Sequence, residues 1–371
     1  MQPAAETRLK FRNLVESLLI GGIGGFALDA AKFPAGWLAG SMLFTAVAAL
    51  LGRPIYVPLK LARTFFIILG ISIGGVVTPE TVKGMATWPF SLFMVCVAMA
   101  AVTLGTVTYL TRVHGWNTMT AIFAGVPGGL SQVMALAAEQ ENCDVRGVAI
   151  VQTLRVVILA IGVPAVLSVF GIAGPARLPA GALSVADAPL QFALLVGGCF
   201  AAALGLLRLG FPGGLIFGPM VLSAVLHGGA FVSVTMPFPL AMASMVGLGT
   251  VSGARFTGTP FRLMLSYLGA GFGAFVVALV ISGAIGAGVT AVVKLPLADL
   301  IVAYAPGSVD AMMILALALH LDPVFVGAHH LTRVFTVSLA LPVLTHYFGH
   351  ARRKRGDNGA PVLPAADGLD D

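Results

Sequence analysis

Charge is scarce in this sequence. Of its 371 residues only 10% are charged, while 58% are hydrophobic. Soluble domains carry about 25% charged residues, and their surfaces need them. The shortage excludes an ordinary soluble protein and predicts an integral membrane one. Cysteine is also scarce. Cys96, Cys143 and Cys199 lie far apart, so neither a zinc site nor a disulfide framework is expected. Period-two alternation is weak throughout, which argues against a β-barrel. Nucleotide-binding loops, nucleophile elbows and zinc-protease motifs are missing. No enzyme activity, catalytic residue or cofactor is therefore expected. "GGIGG" at Gly21 to Gly25 lies inside an apolar run and reads as helix packing.

What the sequence does have is apolar runs long enough to span a bilayer as helices of about 20 residues. The net charge is +6, with much of it in "RLKFR" (Arg8 to Arg12) and "ARRKR" (Ala351 to Arg355). Such clusters can bind nucleic acid. Flanking apolar runs, they read instead as cytoplasmic anchors, and no nucleic-acid partner is expected. The first run, "LVESLLIGGIGGFALDAAKF", holds Asp29 and Lys32 and is followed at once by more spans. It reads as a first membrane helix and not as a cleaved signal.

The chain repeats itself. "FPAGWLAGSML" starts at Phe33 and "FPGGLIFGPMV" at Phe211, an offset of 178 (211 − 33). Asp144 and Asp322 share that offset, as do Arg155 and Arg333. Pro127 and Pro306 differ by 179 (306 − 127). These matches predict repeat one over 14–172, a linker over 173–189 and repeat two over 190–349. Residues 1–13 and 350–371 form cytoplasmic tails in this reading, the second one disordered.

Each repeat offers six apolar elements, and the fifth is broken by a Pro-Gly pair. "AGVPGGLSQVMALAAEQ" begins at Ala124 and "VAYAPGSVDAMMILALAL" at Val302. If the fifth is a re-entrant hairpin, five elements span and the repeats are inverted. Loop charge favours that arrangement. With the N-terminus inside, it gathers Arg53, Lys60, Arg63, Arg112, Arg146, Arg208, Arg255, Arg262 and the cluster at Arg352 to Arg355 on the inner side. Lys32, Lys83, Arg177 and Lys294 fall outside. The expected fold class is an all-α polytopic membrane protein with ten transmembrane helices, two re-entrant hairpins and two inverted repeats. Both termini are cytoplasmic and the membrane is the inner one.

Non-helical backbone at membrane depth survives only inside protein or along a wet cavity. Pro127, Gly128 and Gly129 can end one half-helix and start another, as can Pro306, Gly307 and Ser308. Free N–H groups at such a start favour an anion. Two broken elements at matched positions point to a transporter site. Asp144 and Asp322 read as helix N-caps, with Pro323 at a first helical position. Arg155 and Arg333 lie eleven residues beyond them, about 16 Å into a core about 30 Å thick. An arginine there costs about 2.5–3.5 kcal/mol and so reads as functional or paired. Gln152 and His330 precede these arginines by three and share their faces. Ser131 and Gln132 follow the first break. Asp310 stands where repeat one has Ser131, and it either carries a coupling proton or sodium ion or neutralises Arg333. His320, His329 and His330 raise a metal site. Adjacent side chains on a helix diverge by about 100°, however, and repeat one has no matching set, so no metal is expected.

"PGGLSQVMALAAEQENCDVRGVAIVQTLR" and "YAPGSVDAMMILALALHLDPVFVGAHHLTR" resemble the two halves of the AbrB-type membrane protein family. That family is built on a duplicated hydrophobic region and shares only its name with a small soluble DNA-binding regulator. The resemblance covers about 14–349. It implies a multi-span inner-membrane protein, whose relatives carry labels as regulators of gene expression or as ammonia monooxygenases. The plan also looks similar to secondary carriers with opposed hairpins, and this is analogy only. The leading expectation is a transporter or exporter of a small anionic or amphipathic solute, coupled to protons or sodium. The alternative is a membrane-embedded regulator, followed by a metal-dependent monooxygenase. The lipid bilayer is the expected partner. Homodimerisation is left open, being frequent in carriers of this plan.

Overall fold

The computed structural model describes residues 3–77, 85–128, 130–140, 142–169, 183–293 and 295–355. Among these the protein is α-helical. No strand occurs among the described residues, only one isolated bridge between Leu183 and Val234. The first seven helices are α1 (Pro3–Ala30), α2 (Gly36–Leu50), α3 (Leu59–Gly74), α4 (Trp88–His114), α5 (Thr118–Gly125), α6 (Leu130–Ala138) and α7 (Val145–Val169). Seven more follow in the same order of long and short. They are α8 (Pro189–Arg208), α9 (Gly214–Gly228), α10 (Phe238–Gly253), α11 (Phe261–Val292), α12 (Leu297–Tyr304), α13 (Val309–Ala318) and α14 (Pro323–Arg355).

Among the described residues, helices α1, α4, α7, α8, α11 and α14 are the six long and apolar enough to cross a membrane. The protein is thus a multi-pass helical membrane protein. Helices α2 and α9 have 15 residues each, and α3 and α10 have 16. At 1.5 Å per residue these reach about 22–24 Å, short of a core about 30 Å thick. Helix α1 begins at Pro3, so the stretch expected as an N-terminal tail is largely helical. Helix α14 continues through Arg355, and residues 356–371 lie outside the described residues.

The two runs of seven exchange partners. Helix α3 packs on α9 as α10 packs on α2, α1 touches α10 as α8 touches α3, and α7 lies on α11 as α14 lies on α4. Glycine sets the first of these contacts. A Cβ on Gly70 would sit 2.5 Å from the Ile216 carbonyl oxygen, and one on Gly74 would sit 2.4 Å from that of Met220. In the mirror contact, a Cβ on Gly249 would meet the Leu38 oxygen at 2.8 Å and one on Gly253 the Met42 oxygen at 2.8 Å. Without a side chain, one backbone lies directly on the next, which is how helices associate where lipid removes the hydrophobic drive.

A backbone signature also recurs at an offset of 178. Lys32 (φ 56°) pairs with Gly210 (φ 68°), Ala35 (φ 55°) with Gly213 (φ 69°), and Ala230 (φ 56°) with Gly52 (φ 83°). Each pair puts glycine in one run and a residue with a Cβ in the other. The left-handed conformation costs such a residue about 1–2 kcal/mol, and glycine removes that cost while adding unfolded-state entropy. Lys32→Gly, Ala35→Gly and Ala230→Gly are therefore expected to stabilise by about 0.5–1 kcal/mol each. Melting in detergent checks this, and a lowered midpoint in all three would refute it.

Candidate functional site

The chain breaks twice at the heart of the bundle. Helix α5 ends at Gly125, before Pro127, and α6 begins at Leu130. Helix α12 ends at Tyr304, before Pro306, and α13 begins at Val309. Both breaks are buried. Val126 is 3% exposed and Ala305 is 2% exposed.

Both short helices are anchored at their starts. The Asp144 N–H donates to Thr120 Oγ1 (3.0 Å), and the Asp322 N–H donates to Asp299 Oδ1 (2.6 Å). Asp144 and Asp322 also cap the helices that follow them. Asp144 Oδ1 accepts from the Gly147 N–H, and Asp322 Oδ1 accepts from the N–H groups of Val324 and Phe325, all at 3.0 Å.

The last carbonyls of a helix have no partner within it. Here the long helices supply one. Arg155 donates to the Gly125 oxygen (3.3 Å), to the Val126 oxygen (3.2 Å) and to Gln152 Oε1 (2.6 Å). Gln152 Nε2 donates to the oxygens of Phe123 (2.8 Å) and Val126 (3.0 Å). Arg333 does the same for α12, donating to the Ala305 oxygen (2.7 Å), to the Gly307 oxygen and to His330 Nδ1. His330 Nε2 faces the Val302 oxygen at 3.1 Å. The cationic side chain thus meets the negative end of each helix dipole.

The guanidinium groups are not saturated. Arg155 and Arg333 are 4% and 3% exposed, yet the Nε of each is buried without a hydrogen-bond partner. The flank of Arg333 faces the opposite break. A Cβ on Gly128, whose φ is 113°, would lie 3.4 Å from Arg333 Nε. Among the described side chains no carboxylate bonds either arginine.

The structure therefore gathers Pro127, Gly128, Gln152 and Arg155 at one break, and Pro306, Gly307, His330 and Arg333 at the other. Ser308 is spent as a cap, since its Oγ accepts from the Ala311 N–H at 3.4 Å. Gly129 lies outside the described residues, as do the side chains of Ser131, Gln132 and Asp310. The hydrogen bonds of the two arginines run to backbone carbonyls at the breaks. Sequence reasoning missed Ser91 and Tyr304 and weighed His329 only as a metal ligand; all three pack against the second break. Tyr304 Oη donates to the Ser91 carbonyl (2.6 Å), and His329 Nε2 meets Ser91 Oγ (2.9 Å). The unmatched Asn117 cap at the start of α5, accepting from the Met119 N–H at 2.9 Å, is a further local detail.

Metal-binding clusters of three or more His, Cys, Asp or Glu are absent among the described residues. His329 and His330 instead bond separate partners.

A family model described as "Transition state regulatory protein AbrB" matches residues 3–349. The chain is 24% identical over 382 residues to "Uncharacterized protein YhjN" of Bacillus subtilis (strain 168), covering 95% of this chain and 98% of that protein. It is 25% identical over 336 residues to "Putative regulator AbrB" of Escherichia coli (strain K12), covering 88% and 93%. With a match that runs through both breaks and reaches into the last of the fourteen described helices, the chain belongs to the AbrB family.

Proposed function

We propose that the protein is a secondary carrier, or exporter, of a small anionic or amphipathic solute, which binds between the two breaks. The observation that carries this reading is the pair of buried arginines whose Nε groups lack partners. Each helix C-terminus offsets roughly half a unit of charge, so neither guanidinium is neutralised by its own helix end. Holding two such charges at depth costs about 2.5–3.5 kcal/mol apiece, and an anion near both would lower that cost. Gly128, with no side chain beside Arg333 Nε, lets a solute approach that donor.

In this reading helices α5–α6 and α12–α13 are hairpins entering from opposite faces. The other ten helices span, in two inverted repeats, with both termini in the cytoplasm of the inner membrane. The exchanged contacts between the two runs support such an arrangement. The four short helices fit if their flanking loops complete the crossing. The names of the family and of the Escherichia coli relative favour a second reading, a membrane-embedded regulator acting through a partner.

Melting temperature against a panel of carboxylates, amino acids and amines separates these readings. A ligand at a hundred times its dissociation constant stabilises by about 2.7 kcal/mol. Carboxylates are expected to raise the midpoint of the wild type and of Gln191→Ala, a distant control. Arg155→Lys and Arg333→Lys should lose the shift, because an ammonium group cannot reproduce the guanidinium fork. No shift with any anion, or an equal shift with simple amines, would remove the anion site and put the regulatory reading ahead.

A further inference from the structure

The two halves build the same scaffold with different chemistry. Where α14 has His329 and His330, α7 has Val151 and Gln152, each 178 residues earlier. Where the second half has Asp299, Tyr304 and Asp310, the first has Thr120, Gly125 and Ser131, each 179 earlier. At these five positions the second half is titratable and the first is not. Val151 is 1% exposed and packs with Phe123 and Val126, so an apolar side chain is enough to build this position. The histidine at 329 is more than the fold requires.

His330 and His329 differ in what their partners allow. His330 Nε2 faces the Val302 carbonyl, which only accepts, and His330 Nδ1 faces a donor on Arg333. Its ring is held neutral, with the hydrogen on Nε2, because a second proton would drive it against Arg333. His329 Nδ1 faces the Phe325 carbonyl at 2.8 Å and must donate. His329 Nε2 faces Ser91 Oγ at 2.9 Å, and that same hydroxyl lies 2.9 Å from the Trp88 carbonyl. One hydroxyl hydrogen thus serves two acceptors. Pointed at Nε2, it fits a neutral ring. Turned to the Trp88 oxygen, it leaves Oγ free to accept from a charged one. Both states are fully hydrogen-bonded, and a rotation about the Ser91 Cβ–Oγ bond converts them.

We propose that His329 is a proton-binding site, with Ser91 as its hydroxyl switch, and that the coupling ion of the carrier is a proton. This rests on the carrier reading above for its purpose, though the binding of the proton does not. An incoming proton bonds to Nε2, the ring becomes a cation, and the hydroxyl hydrogen moves from Nε2 to the Trp88 carbonyl. No other bond changes. The new charge stands one helical turn before Arg333, on the same face. It therefore adds to the positive field that would hold an anion, so proton and anion favour each other's binding.

The titratable groups around the ring are few. Helix α12 brings Tyr304, whose ring centre is 6.0 Å away, and holds Asp299 at its other end. Helix α4 presents Ser91 and Trp88, with Cys96 bonded further along to Thr336 and Tyr109, Arg112 and His114 at its far end. Helix α14 itself holds His330 and Arg333. The titratable residue of α13 is Asp310, those of α3 are Lys60 and Arg63 at its start, and α5 has none.

The test is nitrogen-15 NMR of full-length protein labelled at its 7 histidines, in lipid nanodiscs, between pH 8 and pH 4.5. His329→Val and His329→Gln both assign the resonance, so assignment does not depend on one variant folding. His329 should pass from one bare ring nitrogen to two N–H nitrogens as pH falls, while His330 keeps one bare nitrogen. Ser91→Ala removes an acceptor from the charged ring and a donor from the neutral one. The charge-assisted bond is the stronger, so the midpoint should fall by about one pH unit. A His329 that stays neutral to pH 4.5, a His330 that charges in its place, or a midpoint indifferent to Ser91→Ala would overturn the proposal. Failure of the anion panel above with an intact His329 titration would sink the carrier reading and leave the proton site standing.

Discussion

Arg333→Ala and Arg155→Ala are each expected to destabilise the protein by about 1 kcal/mol. Each variant removes a buried cation, which by itself relieves about 3 kcal/mol. Against that stands what each leaves behind. Without Arg333, the Gly307 oxygen and His330 Nδ1 lose a partner, while the Ala305 oxygen keeps the Gly307 N–H. Without Arg155, the Gly125 oxygen and Gln152 Oε1 lose a partner, while the Val126 oxygen keeps Gln152 Nε2. A buried polar group left unsatisfied costs about 1–3 kcal/mol, so two such groups slightly outweigh the relief in both variants. Unfolding both in the same detergent checks it. A loss in one variant more than about 2 kcal/mol larger than in the other would mean that the two breaks are not satisfied alike.

Gly74→Leu and Gly253→Leu are expected to cost about 3 kcal/mol or more each, at the upper end of overpacking. A Cβ on Gly74 would stand 2.5 Å from Ser223 Cβ and 2.7 Å from the Ala224 nitrogen. One on Gly253 would stand 2.1 Å from Thr45 Oγ1 and 2.7 Å from the Ala46 nitrogen. These are the same contact twice, because Ser223 and Ala224 follow Thr45 and Ala46 by 178. Backbone cannot move aside as a flexible side chain can, so α3 must lift off α9, or α10 off α2. Gly205→Leu is the control, since nothing lies within 4 Å of a Cβ there. The yield of monodisperse protein and its melting point give the readout. A Gly205→Leu loss as large as the other two would remove close packing as the cause.

Much of this architecture is legible in the sequence, for physical reasons. Scarce charge and long apolar runs follow from the solvent, so the helical membrane class can be read directly. The Pro-Gly pairs mark the breaks because proline and glycine act locally. Asp144 and Asp322 are recognisable as caps because a cap acts within three residues of its own position. The depth of Arg155 and Arg333 follows from counting residues along a helix. Their partners do not, because Arg155 meets Gly125 and Val126 only after the chain has turned back on itself. The missed residues share that trait. Ser91 lies 238 positions from His329 and 213 from Tyr304, and no local pattern links them. Gly74 and Gly253 look like any of the 46 glycines until their neighbours are known.

The exchanged packing of α3 on α9 and of α10 on α2 has a consequence for ancestry. Contacts in which element i of one unit meets element j of another, and j meets i, are those of an isologous dimer. A polypeptide of half this length would make the same contacts between two copies. In such a homodimer every substitution appears twice, so a histidine at one position 329 would be matched by a histidine at the other. Joining the copies into one chain lifts that constraint. The unlike residues Val151 and His329 are differences that only a fused molecule can hold.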